Sequence, residues 1–302
     1  MYDDVLLATD GGPGPEGAIG RALDLARTFE ATLHVLYVID TGHEPPGLAS
    51  DHREELRAAG ERRARRATAA VRERAGELDV RTVREVREGS PYRRILEYAD
   101  EAGVDLLVVG THGRSGGGRV RLGSTAERVV ERADVPVLVV RLADEADDAD
   151  EADGDTAVPW SGHGAYDHVV LATDGSDAAE RAADHGLALA ERYGAEVHVV
   201  YVVDTTVYEF ADTERSIVGP LERGGENAVE ALASEARERG LPAGTHVLRG
   251  VPARTLLEYA DGVDADLLAM GTRGPATAGE RFLGSTTRRL LGRSGAPVLT
   301  VR

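Results

Sequence analysis

The chain has 302 residues, 42% of them hydrophobic and 29% charged, a composition of folded domains with length enough for two. Its 53 acids against 35 basic residues give a formal net charge of −18. Such a field repels nucleic-acid phosphates and anionic lipid headgroups, so no nucleic-acid and no membrane partner is expected. Neither cysteine nor lysine occurs, which excludes thiolate nucleophiles, zinc thiolates, iron–sulfur clusters and disulfides, and also P-loops of the GxxxxGK[ST] type and Schiff-base enzymes.

The chain opens MYDDVLLATDGG, with acids where a signal peptide needs positive charge, and no run of about 18 apolar residues follows. A cytoplasmic location is expected. Acid excess, arginine as the sole long-chain base and 4% aromatics predict a halophilic protein whose charged surface keeps it dissolved in molar salt.

In chain order, short apolar runs alternate with helical patterns. Strands are predicted near Val5–Thr9, Leu33–Ile39, Val80–Val86, Leu106–Val109 and Val137–Val140, then near Val169–Thr173, Val197–Val203, His246–Leu248, Leu267–Met270 and Val298–Val301. The stretch from Arg53 to Arg74, with eight arginines and interleaved acids, predicts a solvated helix rather than an anion patch. Strand and helix alternating in this way predict an α/β fold with doubly wound parallel sheets.

The second series repeats the first. YDDVLLATD (Tyr2–Asp10) returns as YDHVVLATD (Tyr166–Asp174), and LHVLYVID ending at Asp40 returns as VHVVYVVD ending at Asp204. GSPYRRILEYAD from Gly89 returns as GVPARTLLEYAD from Gly250. The chain therefore reads as tandem units over residues 1–141 and 165–302, joined by an acidic linker over 142–164 that holds eight acids and no Lys or Arg. Without those eight acids the two units still carry −10, so acidity is not confined to the linker.

After the fourth strand of each unit comes G-x2-G-x9-G-[ST]: Gly110, Gly113, Gly123 and Ser124, then Gly271, Gly274, Gly284 and Ser285. Glycine lets backbone approach a ligand closely, and a Gly-Ser-Thr that opens a helix offers unpaired amides suited to phosphate. The spacing recurs while the nine residues inside it differ almost completely.

These motifs, with strand-end Asp10 and Asp174, resemble the universal stress protein family over nearly all of both units, and the long glycine spacing resembles its ATP-binding branch. The resemblance implies a five-stranded parallel sheet of order 3-2-1-4-5 in each unit, with ATP at the carboxyl ends of the strands and Mg carried by the nucleotide. Adenine and ribose contacts would fall on Ala8, Asp10 and Val38, and on Ala172, Asp174 and Val202. Phosphate contacts would fall on Gly110, Gly113, Gly123, Ser124 and Thr125, and on Gly271, Gly274, Gly284, Ser285 and Thr286, with His112 and Arg273 at the middle of the two loops. For Asp10 and Asp174 a helix-capping role stands beside the ligand role.

The units differ at these loops. GGPGPE follows Asp10 where GSDAAE follows Asp174, and Pro275 removes an amide beside Gly274. His34 and His198 occupy matching strand positions with no second ligand at metal spacing, so they read as buried strand histidines; no metal site is expected. Tyr98 and Tyr259, each in LEYAD, read as helix-to-sheet packing. No nucleophile-and-base pair, G-x-S-x-G elbow or HExxH helix occurs.

Three functions stay open at this point. The first is a nucleotide-binding stress-response protein switched by ATP, its units forming an internal pseudo-dimer and leaving a further homodimer open. The others are a slow Mg-dependent ATPase and a nucleotide-free scaffold for a protein partner.

Overall fold

The computed structural model describes residues 1–11, 16–42, 50–111, 122–141, 166–206, 214–273 and 283–302. The chain divides into two compact units, Met1–Gly162 and His163–Arg302. Among the described residues the first unit runs β1 (Asp4–Thr9), α1 (Glu16–Thr28), β2 (Thr32–Asp40), α2 (Ser50–Glu77), β3 (Thr82–Gly89), α3 (Pro91–Ala102), β4 (Leu106–Gly110), α4 (Ser124–Arg132) and β5 (Val137–Val140). The second runs β6 (His168–Thr173), α5 (Asp177–Tyr193), β7 (Glu196–Asp204), α6 (Glu214–Glu238), β8 (Ala243–Gly250), α7 (Pro252–Gly262), β9 (Leu267–Gly271), α8 (Ser285–Arg293) and β10 (Val298–Val301).

All strand pairs within each unit are parallel. Their order is β3-β2-β1-β4-β5 in the first unit and, starting likewise from the third strand of the unit, β8-β7-β6-β9-β10 in the second. Both are the 3-2-1-4-5 order of a doubly wound fold, which reverses direction between the first and fourth strands of the unit.

Central strands are apolar without alternation because helices cover both faces. Val5, Leu6 and Leu7 of β1 are wholly buried. On β2, His34 and Tyr37 lie three residues apart and so face opposite ways. Tyr98 of α3 reaches His34, while Ala64 of α2 packs on Tyr37 and Ile39.

The outer strands are less apolar, and here sequence and structure differ. Val80 belongs to the exit from α2: its N–H donates to the Ala75 carbonyl at 2.9 Å and its side chain is buried. The strand expected over Val80–Val86 therefore begins at Thr82 and runs on through charged residues to Gly89. It leaves Val83 and Val86 substantially exposed, and its charges suit a sheet edge. The short strand expected over His246–Leu248 extends across Ala243–Gly250, where glycine and threonine hide it from an apolar pattern.

At the amino-terminal ends of the strands, one carboxylate ties each unit together. Asp105 Oδ2 accepts the N–H groups of Asp3 and Asp4 at 2.7 and 3.0 Å. Its counterpart Asp266 Oδ2 accepts those of Asp167 and His168 at 2.8 and 3.0 Å. Among the described residues no helix is long and apolar enough to cross a membrane.

Candidate functional site

The carboxyl ends of the strands form a step. β1 pairs with β2 only as far as Thr9↔Tyr37 and with β4 only as far as Ala8↔Val109, whereas β2 continues beside β3 to Asp40↔Gly89. Val38 is therefore the first β2 residue with no paired β1 residue beside it. In the second unit β6 stops at Thr173↔Tyr201, and Val202 takes the same place beside β8. A crevice over the end of the first strand, at the point where strand order reverses, is where ligands of such sheets bind.

The first strand leaves this crevice by a tight turn. Thr9 Oγ1 accepts the Gly11 N–H at 3.2 Å, and Thr173 Oγ1 accepts that of Gly175 at 3.1 Å. Gly11 and Gly175 have φ of +69° and +75°, a region that favours glycine. Asp174 Oδ1 accepts the Ser176 N–H at 3.0 Å, and Ser176 Oγ caps α5 by accepting the Ala179 N–H at 3.3 Å. The capping role weighed for Asp174 thus takes the form of a turn that positions the true cap, with Asp174 itself exposed.

The glycine motif begins where the fourth strand ends. Thr111 N–H donates to the Val140 carbonyl at 3.0 Å, and the Thr111 carbonyl accepts the Gly123 N–H at 2.7 Å. Thr272 N–H likewise donates to the Val301 carbonyl at 2.8 Å, and its carbonyl accepts the Gly284 N–H at 3.0 Å. The chain thus returns after the loop to within one hydrogen bond of where it left, seating the starts of α4 and α8 at the crevice.

Gly123 (φ −64°, ψ 148°) and Gly284 (φ −57°, ψ 146°) are the N-cap residues of those helices, and neither helix has a side-chain cap. A glycine cannot satisfy the first-turn amides, so the N–H groups of Ser124 and Thr125, and of Ser285 and Thr286, have no intrahelical partner. Ser124 and Ser285 are exposed. Unpaired donors at the positive end of a helix are suited to an anion.

Ala8, Asp10, Val38, Gly110, Gly123, Ser124 and Thr125 all belong to the ends that border the first crevice, as do Ala172, Asp174, Val202, Gly271, Arg273, Gly284, Ser285 and Thr286 the second. Gly271 is held close to α5: a Cβ there would stand 3.0 Å from both the Ala178 carbonyl carbon and the Ala179 nitrogen. His112, Gly113 and Gly274 lie outside the described residues.

Similarity to known proteins follows the same division. A model of the universal stress protein family matches residues 1–141 and 165–302. The chain belongs to the universal stress protein family. The universal stress protein MJ0531 of Methanocaldococcus jannaschii is 35% identical over 145 residues, covering 47% of this chain and 85% of that one. A universal stress protein of Mycolicibacterium smegmatis is 39% identical over 139 residues, 45% of each chain. The crystal structure of a universal stress protein from Archaeoglobus fulgidus superposes with a TM-score of 0.71 at 20% identity, covering 99% of this chain and 96% of that one. A universal stress protein solved in complex with cAMP is 28% identical over 45% of this chain and 97% of its own, with a TM-score of 0.35.

Two features of this universal stress protein escaped the sequence reading. Thr287 Oγ1 donates to the Gly271 carbonyl at 3.1 Å, pinning the start of α8 to the end of β9. Alanine stands at the matching place, Ala126, so no repeat marks it. At the opposite ends of the strands, His34 Nδ1 pairs with the Tyr98 hydroxyl at 2.8 Å and its Nε2 with Asp4 Oδ1 at 2.9 Å. His198 Nδ1 pairs with the Tyr259 hydroxyl at 3.0 Å. Its Nε2, however, lies 3.3 Å from His168 Nδ1 and 3.9 Å from Glu196 Oε1. His198 is buried, as a strand histidine was expected to be, and His168 and Glu196 stand beside it in space though not at metal spacing along the chain. Residue spacing could not reveal this, because strand register brings together residues 30 apart.

Burial holds the His198 imidazole below its ordinary pKa, against the pull of Glu196 and with the histidines beside it. Burial, helped by Glu196, also pushes the Tyr259 phenol up to about 12.

Proposed function

We propose that each unit, over residues 1–141 and 165–302, binds an adenine nucleotide across its crevice, and that the protein is a cytoplasmic stress-response regulator switched by ATP. The observation that carries this reading is the pair of glycine-capped helix starts, each returned by a hydrogen bond to the end of the fourth strand. Phosphates would accept from the amides of Ser124 and Thr125, and of Ser285 and Thr286, with the half-buried Arg273 beside the second set. Asp10 and Asp174 would accept from ribose hydroxyls, and the backbone at Val38 and Val202, just past the end of the first strand, would read the base edge. Mg2+ would arrive on the nucleotide. For occupancy to act as a switch, ATP must bind two states of the protein with different affinity.

A backbone amide can be deleted here without breaking the helix. Ser124 and Ser285 are first helical residues, where proline is tolerated, and each follows a glycine with the extended ψ that proline requires of its predecessor. The doubly substituted Ser124→Pro, Ser285→Pro protein should keep its helical circular dichroism and lose about tenfold or more in ATP affinity by equilibrium dialysis, the worth of one charge-assisted hydrogen bond per site. The corresponding Ser→Ala pair separates the hydroxyl from the amide, and ADP, AMP and cAMP separate phosphate recognition from that of the base. ATP affinity unchanged by both proline substitutions, or no ATP binding by the parent protein, would overturn the reading.

A further inference from the structure

We propose that the second unit carries a divalent transition-metal site of the zinc class, built from His168, Glu196 and His198 at the amino-terminal ends of β6 and β7. This site is independent of the nucleotide crevice, since six residues of extended strand, about 20 Å, separate His168 from Asp174.

Strand register makes the cluster. His168 is the parallel partner of Glu196, so the two side chains share a face of the sheet, and His198, two residues along β7, shares it with them. One ligand atom from each residue lies within 4.8 Å of the others. His168 Nδ1 and His198 Nε2 are 3.3 Å apart, a long N–H hydrogen bond when one of the two nitrogens carries the proton. It is also the separation of two nitrogens bound tetrahedrally at about 2.0–2.1 Å from one zinc ion. Glu196 is half exposed, with Oε1 3.9 Å from His198 Nε2, so a turn of its side chain would complete the site.

The surroundings are those of a ligating histidine. Tyr259 from α7 holds His198 Nδ1 at 3.0 Å. With Nδ1–H donating to that hydroxyl, the lone pair of Nε2 points toward His168, the outer hydrogen bond that orients metal-bound imidazole. The ring of His246 stacks on His198 with centroids 6.0 Å apart and closes one side. His168 is itself seated by the bond from its N–H to Asp266. Two nitrogens and one carboxylate leave a fourth position open, and this borderline donor set suits Zn2+ or Co2+ better than Mg2+ or Ca2+.

The first unit shows what the second has replaced. There Asp4 stands at the His168 position and makes an ion pair or hydrogen bond with His34 at 2.9 Å, and Thr32 stands at the Glu196 position. The same strands and the same tyrosine therefore support an Asp–His–Tyr chain in one copy and a His–His–Glu cluster in the other.

This comparison supplies a variant that should fold. His168→Asp restores the arrangement of the first unit, in which the carboxylate bonds the histidine Nε2 directly, and exchanges an imidazole ligand for a carboxylate. Tag-free, metal-stripped full-length protein should bind one equivalent of Co2+ with the intense visible absorption of tetrahedral cobalt, displaced by one equivalent of Zn2+, and Zn2+ should raise its melting temperature. His168→Asp should weaken binding by at least about tenfold and abolish that absorption, and Tyr259→Phe, which frees the outer hydrogen bond, should cost about tenfold. MgATP affinity should be unchanged by either substitution. Absence of saturable one-equivalent binding, or binding and absorption unaltered by His168→Asp, would overturn the proposal.

Discussion

Asp105 and Asp266 show how much structure one carboxylate oxygen can organise. Each accepts two consecutive backbone amides and so fixes the start of the first strand against the start of the fourth. Asp266→Ala would leave the amides of Asp167 and His168 without that acceptor, one of them partly buried, and should cost about 1–3 kcal/mol in chemical denaturation. Gly271→Ala should cost a similar amount, about 1–3 kcal/mol, because its new methyl meets the backbone of α5 rather than a side chain that can turn away. His185 on α5 gives a pH dependence. Burial holds its pKa below the ordinary value, against the pull of Asp184. The unfolded chain then takes up the proton first as pH falls, so stability present above about pH 6.5 is lost as pH drops through the lower folded pKa. Histidine NMR titration and denaturation between about pH 7 and pH 5 should show both effects; an ordinary His185 titration would contradict them. At this scale Gly110, Gly123, Gly271 and Gly284 and the strand-end Asp10 and Asp174 stand out in the sequence because they recur at fixed spacing, and the structure sets them at strand and helix ends. Asp105, Asp266 and the His168–His198 pair were not, because their partners are set by register rather than by nearness in the chain.

Among the elements, α5 and the glycine-capped α4 and α8 begin in opposite ways. Ser176 fills the cap of α5, and Ser176→Ala should cost about 1 kcal/mol of stability. The starts of α4 and α8 are left uncapped at the crevice, which is expected where a ligand rather than a side chain is to satisfy the amides. Central strands were legible as unbroken apolar runs, since helices cover both their faces. The edge strands were not. β3 is written in arginine and glutamate, and a valine of the preceding turn, Val80, imitated its beginning. The arginine-rich α2 was read as a solvated helix, and its Arg57 and Arg65 do pair with Glu61 on its own surface.

For the whole molecule, charge and duplication are the governing facts. A net charge of −18 with no lysine means that the folded chain repels itself at low ionic strength. The Debye length shrinks from about 10 Å at 0.1 M salt to about 3 Å at 1 M, so the melting temperature should rise with KCl across that range; a flat or falling curve would contradict salt adaptation. Duplication gives each copy its own sheet, crevice and glycine-capped helix, with loops that have diverged around them. The repeat itself was legible from end to end, whereas the divergence at the opposite ends of the strands, Asp4 against His168, becomes meaningful only once register is known. The most direct test of the central claim is a calorimetric titration of nucleotide-stripped protein with MgATP in molar KCl. Two equivalents per chain are predicted; no heat of binding from a folded sample would contradict nucleotide binding, and a single equivalent would contradict the claim that both crevices serve it.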